Sequence, residues 1–216
     1  MCFSATASFG SGTLLLAIGT ATLRMARRPA ERPYAAIPLL FAIQQIVEGV
    51  VWLSFSGPAW LNFVSTQAYS LFSHVLWPVY IPLAACLLEP RSSRRRGLLA
   101  FLVVGLAVGA YLLYSLAVNP IQARPAGGHV DYQSPHFYIV ASMTLYLLAT
   151  TVSLLLSSDV WVKMFGALAL GSSLVAYVLY ARWFISVWCF FAAALSVAVA
   201  LRFIVPRSTF QQRITS

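Results

Sequence analysis

A single carboxylate, Glu48, stands inside a long apolar run, in the segment QQIVEGVVW at 44–52. An ionised carboxylate in hydrocarbon needs a cation, a metal or several hydrogen-bond donors, and without them it takes up a proton. Gln44, Gln45 and Trp52 lie three or four residues from Glu48, so a helix places all four on one face. The segment predicts a buried polar site for a ligand, a proton or a metal. The structural alternative is a protonated Glu48 bonded to a neighbouring helix.

Histidine and cysteine side chains supply further candidates for this site. His74 lies in SHVLWPVYIP, where Pro78 and Pro82 lack the backbone N–H and leave carbonyl groups without helix partners. Such carbonyls at membrane depth must be satisfied by other groups or by water in a cavity, so a kink beside His74 could widen a pocket. Thiolate and imidazole ligands suit zinc or copper. The candidate metal ligands are Cys2, Glu48, His74, His129 and Cys189.

The composition indicates which kind of element holds these residues. The chain has 216 residues, of which 60% are hydrophobic and 9% charged, whereas a soluble domain averages about a quarter charged residues. Several apolar runs approach the length of about 20 residues that crosses a bilayer. The sequence therefore predicts an all-α integral membrane protein, with the lipid bilayer as its first partner. We expect one seven-transmembrane-helix bundle with spans at about 4–25, 34–55, 65–88, 97–118, 135–156, 160–181 and 183–205.

The positive charges give an orientation for this bundle, because Lys and Arg flanking the spans stay on the cytoplasmic side. Of the 14 Lys and Arg residues, only Arg124 and Arg182 fall on the other side of the predicted membrane. The N-terminus is therefore expected outside and the C-terminus in the cytoplasm. Short basic clusters beside apolar spans explain the net charge of +9, so we expect no nucleic-acid partner.

The N-terminal stretch MCFSATASFGSG is expected to remain on the protein. A signal peptide carries its positive charges before the apolar core, whereas here they follow it. Cys2 is then expected near the outer surface, and the small residues after it allow the first helix to pack closely. A bridge from Cys2 to Cys189 is one alternative in an oxidising compartment. The small residues of GLAVG at 105–109 predict a second close helix contact.

Several polar and aromatic side chains lie at a common depth below the predicted outer surface. Glu48, His74 and Cys189 lie roughly 9–14 Å into three different spans, so we expect them to line one outward-open cavity. The loop 119–138 is either a lid over this cavity or a solvated connector with Pro and Gly turns. The predicted ligand-binding residues are Gln44, Gln45, Glu48, Trp52, His74, Trp77, Tyr138, Tyr177, Tyr180 and Trp188.

The segments MCFSATASF, QQIVEGVVW, HVLWP and SVWCFFA resemble an uncharacterised family of bacterial multi-pass membrane proteins whose members begin MCFSA. The resemblance runs from Met1 through the last span. It implies a bacterial protein of the inner (cytoplasmic) membrane and carries no activity with it. It directs interest to Cys2, Ser4, Gln45, Glu48, Trp77, Trp188 and Cys189.

Three classes of function fit these residues. The first is a membrane-embedded site that binds a metal or small ligand, and such a site could act as an enzyme on lipid. The second is a small-solute transporter, for which seven short spans suit a three-plus-one-plus-three repeat. The third is a sensor or accessory subunit without chemistry, and in any of the three an oligomer is compatible with the sequence.

The charge distribution generates a prediction about topology. Reporter fusions at residue 95 and residue 127 should report opposite compartments, with residue 95 in the cytoplasm. Alkaline phosphatase, active outside, and green fluorescent protein, active inside, provide the paired readout. The same compartment for both positions would contradict the predicted orientation.

Overall fold

The computed structural model describes residues 4–205, and this part of the chain is predominantly helical. Helix α1 is Ala5–Met25, and α2 is Ile37–Ser54 after a 3-10 turn, Pro29–Glu31, and a short helix, Arg32–Ala35. The remaining helices are α3, Ala59–Leu88; α4, Ser92–Val118; α5, Val140–Leu155; α6, Val160–Tyr180; and α7, which joins Phe184–Leu195 to Val197–Ile204. The predicted helical class is confirmed.

Five segments of the described chain are long and apolar enough to cross a membrane. They are Ala5–Met25, Pro29–Ser54, Ala59–Leu88, Ser92–Val118 and Val160–Ile204. Helix α5 is also apolar but shorter. Several large apolar side chains on these helices face outward, such as Val103, which exposes 65% of its surface. A polytopic membrane protein accounts for outward-facing apolar surface of this extent.

The segment Val160–Ile204 is folded back on itself. The backbone leaves helical geometry at Tyr180, with φ −137° and ψ 38°, before α7 begins. The indole N–H of Trp188 on α7 donates to the carbonyl of Ala169 on α6 at 3.1 Å. Near the other end of the pair, Arg202 of α7 bonds Asp159 just before α6. Helices α6 and α7 therefore form an antiparallel pair.

Small residues bring α1 and α2 into close contact, as the composition of the N-terminal stretch predicted. A Cβ atom on Gly19 would lie 2.5 Å from the backbone nitrogen of Leu39, and one on Gly12 would lie 2.8 Å from a side-chain carbon of Ile46. Neither distance is sterically allowed. From the other helix, Gly49 receives the ring of Phe9. This packing fixes the face of α2 that carries Glu48.

Proline changes the hydrogen bonding of α3. The segment Leu71–Leu76 is π-helical, and the N–H of Trp77 donates to the carbonyl of Phe72, five residues earlier. In this register the next carbonyl, that of Ser73, faces Pro78, which carries no N–H. The hydroxyl of Tyr146 on α5 donates to the Ser73 carbonyl instead. The freed carbonyl is thus satisfied by a side chain from another helix.

A glycine of α4 makes room for a second carbonyl group, that of Pro78, which has lost its helix partner to a proline. The carbonyl of Pro78 would pair with the N–H of residue 82, which is also a proline. Gly105 lies directly against this carbonyl, and a Cβ atom there would come within 1.8 Å of the oxygen. Gly109, one turn along, lies against Val79. The predicted small-residue contact at 105–109 is confirmed, with α3 as its partner.

The segment between α4 and α5 contains structure that the sequence analysis did not predict. Strands β1, Gln122–Ala126, and β2, His129–Gln133, form an antiparallel hairpin. Gly127 and Gly128 make the turn with φ of 58° and 77°, the left-handed values that a two-residue hairpin turn requires. Four of the five residues of β2 are buried. The segment is therefore folded against the bundle and is not a solvated connector.

Some helix boundaries differ from the predicted spans. Helix α3 begins at Ala59, six residues before the predicted start, because the polar stretch NFVSTQ continues the helix. Helix α5 begins at Val140, five residues late. The residues before it form a turn in which the N–H of Phe137 donates to the carbonyl of Ser134. Hydropathy does not distinguish such a turn from an apolar helix end.

Ionic contacts join the helix ends opposite the hairpin, which we call the basic end. Arg202 is 7% exposed, and its Nε donates to Asp159 at 2.8 Å, while Glu31 lies 3.8 Å from its guanidinium. Arg94 donates to the carbonyls of residues 156 and 157. These bonds tie α7 and α4 to the segments around α6.

Glu89 closes the basic end between α3 and α6. Its carboxylate accepts from the backbone and the hydroxyl of Ser158, at 2.6 and 2.5 Å, and from the hydroxyl of Ser157. Burial by itself would raise the pKa of Glu89, but these bonds and one from the backbone of Arg91 stabilise the charged form and hold the pKa below its usual value. Both oxygens of this carboxylate accept hydrogen bonds, and they join the end of α3 to the segment before α6.

The contact between α3 and α4 generates a prediction. Gly105→Ala should lower stability by about 1–3 kcal/mol, the usual penalty for overpacking, because α4 must move away from the Pro78 carbonyl. Gly171→Ala on α6 is the matched control, since a Cβ atom there meets nothing within 4 Å. Thermal unfolding of both variants in the same detergent measures the difference. Equal transition temperatures for the two variants would contradict the proposed close contact.

Candidate functional site

Three polar side chains of α2 lie in the middle of the bundle and face three different helices. Gln44, Gln45 and Glu48 are each 0% exposed. Their spacing of three and four residues keeps them on neighbouring positions of one helical face, as predicted. Gln45 faces α1, Gln44 faces α3, and Glu48 faces α7. Helix α2 is therefore the polar centre of the fold.

The Glu48 carboxylate has one hydrogen-bonded oxygen. Oε1 accepts from the hydroxyl of Ser186 on α7 at 2.6 Å. Oε2 is buried and accepts no hydrogen bond from the described residues. The side chain of Gln45 also lies within reach of the carboxyl group, but its amide makes no hydrogen bond of good geometry to Oε2. One well-formed bond leaves a buried carboxyl group incompletely satisfied, whether it is charged or protonated.

The amide of Gln44 has a fixed orientation. The indole N–H of Trp77 donates to Gln44 Oε1 at 2.7 Å, and an indole nitrogen is only a donor. The Gln44 oxygen must face Trp77, so its Nε2 is directed elsewhere, near the sulfur of Cys189. Among residues 4–205 this nitrogen makes no hydrogen bond of good geometry. The ring of Trp77 stacks on Phe41 with centroids 4.0 Å apart. Trp77 thus lines the site and also holds Gln44 in place.

The thiol of Cys189 belongs to the same cluster. Cys189 is 4% exposed, and the side chains of Tyr69 and Gln44 lie beside its sulfur. Ser186 lies three residues earlier on α7, so one face of α7 presents both the Glu48 partner and this thiol. We call Gln44, Gln45, Glu48, Ser186 and Cys189 the Glu48 cluster.

Seven buried polar atoms of this region, Gln44 Nε2 and Glu48 Oε2 among them, have no hydrogen-bond partner of good geometry in the described chain. Such atoms are uncommon, because a buried donor or acceptor left without a hydrogen bond costs about 1–3 kcal/mol. They occur on α1, α2 and the first half of α3, and both donors and acceptors are represented. They are Ser8 Oγ, Gln44 Nε2, Gln45 Nε2, Glu48 Oε2, Trp52 Nε1, Thr66 Oγ1 and Ser70 Oγ.

A small cavity adjoins the cluster on the side of α5 and α6. Its volume is about 30 Å³, enough for about one water molecule. Cys189 is the wall shared with the Glu48 cluster. The other lining residues are mostly apolar: Phe41, Trp77, Ile81, Tyr146, Thr150, Phe165, Ala169, Trp188 and Ala192. Trp188, a predicted ligand-binding residue, therefore lies on this apolar wall.

His74 is buried but belongs to a second group of contacts, beneath the hairpin. Its Nδ1 lies 2.8 Å from the Ser73 hydroxyl, and its Nε2 lies 2.9 Å from the hydroxyl of Ser134. Phe137 packs against the imidazole ring. The small cavity beside His74 does not include Glu48 or Cys189 among its lining residues. His74 thus contacts the segment after β2, while Glu48 and Cys189 lie together elsewhere.

The hairpin covers the end of the bundle through β2. The ring of Tyr132 stacks on Tyr69, with centroids 4.4 Å apart and planes 6° from parallel. Asp131 pairs with Arg182 at 2.9 Å. His129, predicted as a metal ligand, stacks on Trp183. Tyr69 also lies beside Cys189, so the Tyr132–Tyr69 stack connects the hairpin to the Glu48 cluster. The hairpin thus lies over this end of the bundle, as a lid would.

The tyrosines predicted for the site have different surroundings. Tyr177 is 50% exposed and does not face the Glu48 cluster. Tyr180 contacts the ring of His129 at the hairpin, and Tyr138 lines a groove at the surface. Trp52 packs against Phe55, with its indole nitrogen buried. These four residues, predicted to share a depth with Glu48, therefore make their described contacts with other groups.

The candidate metal ligands are likewise dispersed. Within residues 4–205, no three His, Cys, Asp or Glu side chains gather closely enough to hold a metal ion. Glu48 and Cys189 share one cluster, and His74 and His129 lie in two other contact groups. Cys2 lies outside the described residues. Cys189 carries a free thiol, which does not support the alternative of a bridge between the two.

Three residues of these groups were missed by sequence reasoning. Ser186 lies three residues before Cys189, so helical spacing could have identified it. Tyr69 lies five residues before His74 and needs the π-helical register to be placed. Ser134 has no local signal, since its partner His74 is 60 residues away.

A sequence profile for a family of unknown function, DUF6629, matches residues 1–213, and the chain belongs to that family. The predicted membership of an uncharacterised family is confirmed. Comparison with curated proteins and with solved structures finds no match. The site itself must therefore carry any statement about function.

Proposed function

We propose that this chain is a seven-pass protein of a bacterial cytoplasmic membrane that binds a small polar ligand at the Glu48 cluster. The N-terminus and the hairpin lie outside, and the basic end lies in the cytoplasm. The ligand enters from the outer side, beneath the hairpin, and bonds Glu48 Oε2. The ligand is a small molecule with both hydrogen-bond donors and acceptors.

The count of seven takes Val160–Ile204 as two passes and α5 as one. Helices α6 and α7 are antiparallel, so the segment Val160–Ile204 crosses the membrane twice. Helix α5 has 16 residues, about 24 Å at helical rise, which is somewhat short of a hydrocarbon core of about 30 Å. The structured turn before α5 and the segment after it extend this pass. The basic end then carries nearly all of the positive charge, as cytoplasmic ends do.

The open oxygen of Glu48 is the observation on which the ligand site rests. A helix-to-helix bond between polar side chains in a membrane contributes about 0.6 kcal/mol on average, so the single bond to Ser186 does little to offset the burial of a carboxyl group. The amide nitrogens of Gln44 and Gln45 lie in the same region, near Cys189 and Glu48, but neither makes a hydrogen bond of good geometry. A ligand that donates to Glu48 and accepts from an amide would satisfy both kinds of group. This complementarity is why we propose a ligand of mixed polarity.

Aqueous carbodiimide with glycine ethyl ester, applied to sealed right-side-out vesicles, tests access to Glu48. We expect Glu48 to be modified from the outside, and peptide mass spectrometry locates the product. Asp131, which lines the surface groove at the hairpin end, is the positive control, and Glu89 at the basic end is the negative control. Urea, N-methylacetamide and Zn²⁺, which carry neither an amine nor a carboxylate, serve as protectants, and the one that fits the site should slow the modification of Glu48 but not of Asp131.

The outcome separates a ligand site from a structural carboxyl group. If Asp131 is modified and Glu48 never is, Glu48 is sealed and the proposed function is wrong. Protection by Zn²⁺ alone would assign a metal to the site. Glu48→Gln should remove the product at this position and leave modification of Asp131 unchanged.

Transport of a small solute is the second candidate, and the π-helical segments favour it. Leu71–Leu76 of α3 and Leu148–Val152 of α5 are linked through Tyr146, which precedes the second segment and bonds Ser73 in the first. Interrupted helices near the middle of a bundle mark the binding sites of many transporters. A rearrangement of these two segments could open the apolar cavity and Cys189 to the basic end.

Accessibility of Cys189 distinguishes the two candidates. With Cys2 and Cys86 replaced by Ser, a membrane-impermeant methanethiosulfonate reagent is applied to vesicles of each orientation. A transporter exposes Cys189 to both sides in turn, so modification should proceed from either side. Modification from the outer side alone would contradict transport and agrees with a binding site that opens in one direction.

A further inference from the structure

A serine, a histidine and a second serine form a continuous hydrogen-bonded series at the hairpin end of the bundle. Ser134 Oγ lies 2.9 Å from His74 Nε2, and His74 Nδ1 lies 2.8 Å from Ser73 Oγ. All three residues are 5% exposed or less. The Ser73 hydroxyl also donates to the carbonyl of Ser70 at 3.4 Å. The series therefore ends at an atom that can only accept.

This ending favours one direction for the bonds in the series. The Ser70 carbonyl lies within reach of both the Ser73 hydroxyl and the His74 ring. An acceptor at this position favours hydrogen on His74 Nδ1, with Ser73 Oγ accepting from it. A neutral imidazole with hydrogen on Nδ1 has a lone pair on Nε2. The hydroxyl of Ser134 must then donate to His74 Nε2. This is the arrangement of a serine nucleophile and its general base.

Ser134 borders open space at the surface as well as the buried series. Ser134 lines a surface groove of about 420 Å³ between the segment after β2 and the residues that join α6 to α7. Arg182 contributes positive charge to this groove and exposes 66% of its side chain, while it pairs with Asp131. Ser134 lies at the junction of this groove with the small cavity beside His74.

We propose that Ser134 is a nucleophile that accepts an acyl group from a carboxylic ester, with His74 as general base. Ser134 Oγ forms a bond to the ester carbonyl carbon, and His74 Nε2 takes the hydroxyl proton. The bond from carbon to the alcohol oxygen then breaks, and His74 returns the proton to the departing alkoxide. Water hydrolyses the resulting acyl-serine by the same route, with His74 again accepting and returning one proton.

The surroundings of the imidazole set the expected rate. In serine hydrolases a carboxylate orients the histidine and stabilises the imidazolium. Here a hydroxyl and a helix carbonyl take that position, and they stabilise a positive charge less well. Slow acyl transfer is therefore expected, with Ser73 as a positioning residue. Ser73 acts through the tautomer of His74 and does not touch the substrate.

Fluorophosphonate probes test the proposal on the full-length protein in detergent. The Oγ–P bond forms as fluoride leaves, so each labelled serine gains a fixed mass that peptide mass spectrometry locates. We expect one label, on Ser134, and none on Ser134→Ala. A probe with a long alkyl chain and one with a polyethylene glycol chain separate a lipid ester from a soluble ester, since the better mimic should label faster.

Matched variants distinguish a nucleophile from a structural hydrogen bond. His74→Gln retains a bonding partner for Ser134 but no base, so labelling should slow by about 100-fold. Ser73→Ala should slow it less and shift its pH profile. Ser142→Ala, another buried serine near the hairpin end, should label at the wild-type rate. Because the probe reports on Ser134 and carbodiimide reports on Glu48, failure here is distinguishable from failure of the proposed ligand site.

Two results would overturn the proposal. One is an unlabelled Ser134 in folded wild-type protein at probe concentrations that label a serine hydrolase control. The other is labelling of Ser134 at the same rate and with the same pH profile in His74→Gln. If both histidine and serine variants unfold, Ser73→Ala alone decides, because an unchanged rate and pH profile there contradicts the series.

Discussion

A helical bundle in hydrocarbon has no water with which to satisfy its polar groups, so each buried donor and acceptor needs a partner inside the protein. This constraint explains the contacts that hold the bundle together. Proline removes a donor opposite the Ser73 carbonyl, and Tyr146 supplies one from another helix. The Pro78 carbonyl lies against Gly105. At the basic end, Arg202 bonds Asp159, and Glu89 is surrounded by donors.

The Glu48 cluster differs from these contacts because its polar groups are only partly satisfied. Its one described bond, from Ser186, leaves an oxygen that faces the interior. Elsewhere in the described chain a charged side chain of similar burial, such as Glu89, accepts several hydrogen bonds. The comparison supports a role for Glu48 that is not the joining of helices. Natural proteins leave buried polar groups incompletely paired most often where function requires it.

Much of the helical framework could be predicted from the sequence, because apolar length and flanking charge are strong signals in a membrane protein. The burial of Glu48, Gln44 and Gln45 was also predictable, since a polar residue in such a helix turns away from lipid. The hairpin was missed although Gly127 and Gly128 are typical turn residues. The pairing of His74 with Ser134 could not be predicted, because it joins a helix to a loop across 60 residues. In a bundle whose inner and outer faces are both apolar, periodicity does not reveal which helices meet.

Native mass spectrometry of the protein, released from a mild detergent, tests the central proposal most directly. If the open oxygen of Glu48 holds a ligand, wild-type protein should retain an added mass that Glu48→Gln does not carry. Ser186→Ala, which removes the described hydrogen bond but not the carboxylate, should retain it at reduced occupancy. Identical masses for wild type and Glu48→Gln, with both proteins folded, would contradict a ligand site at Glu48.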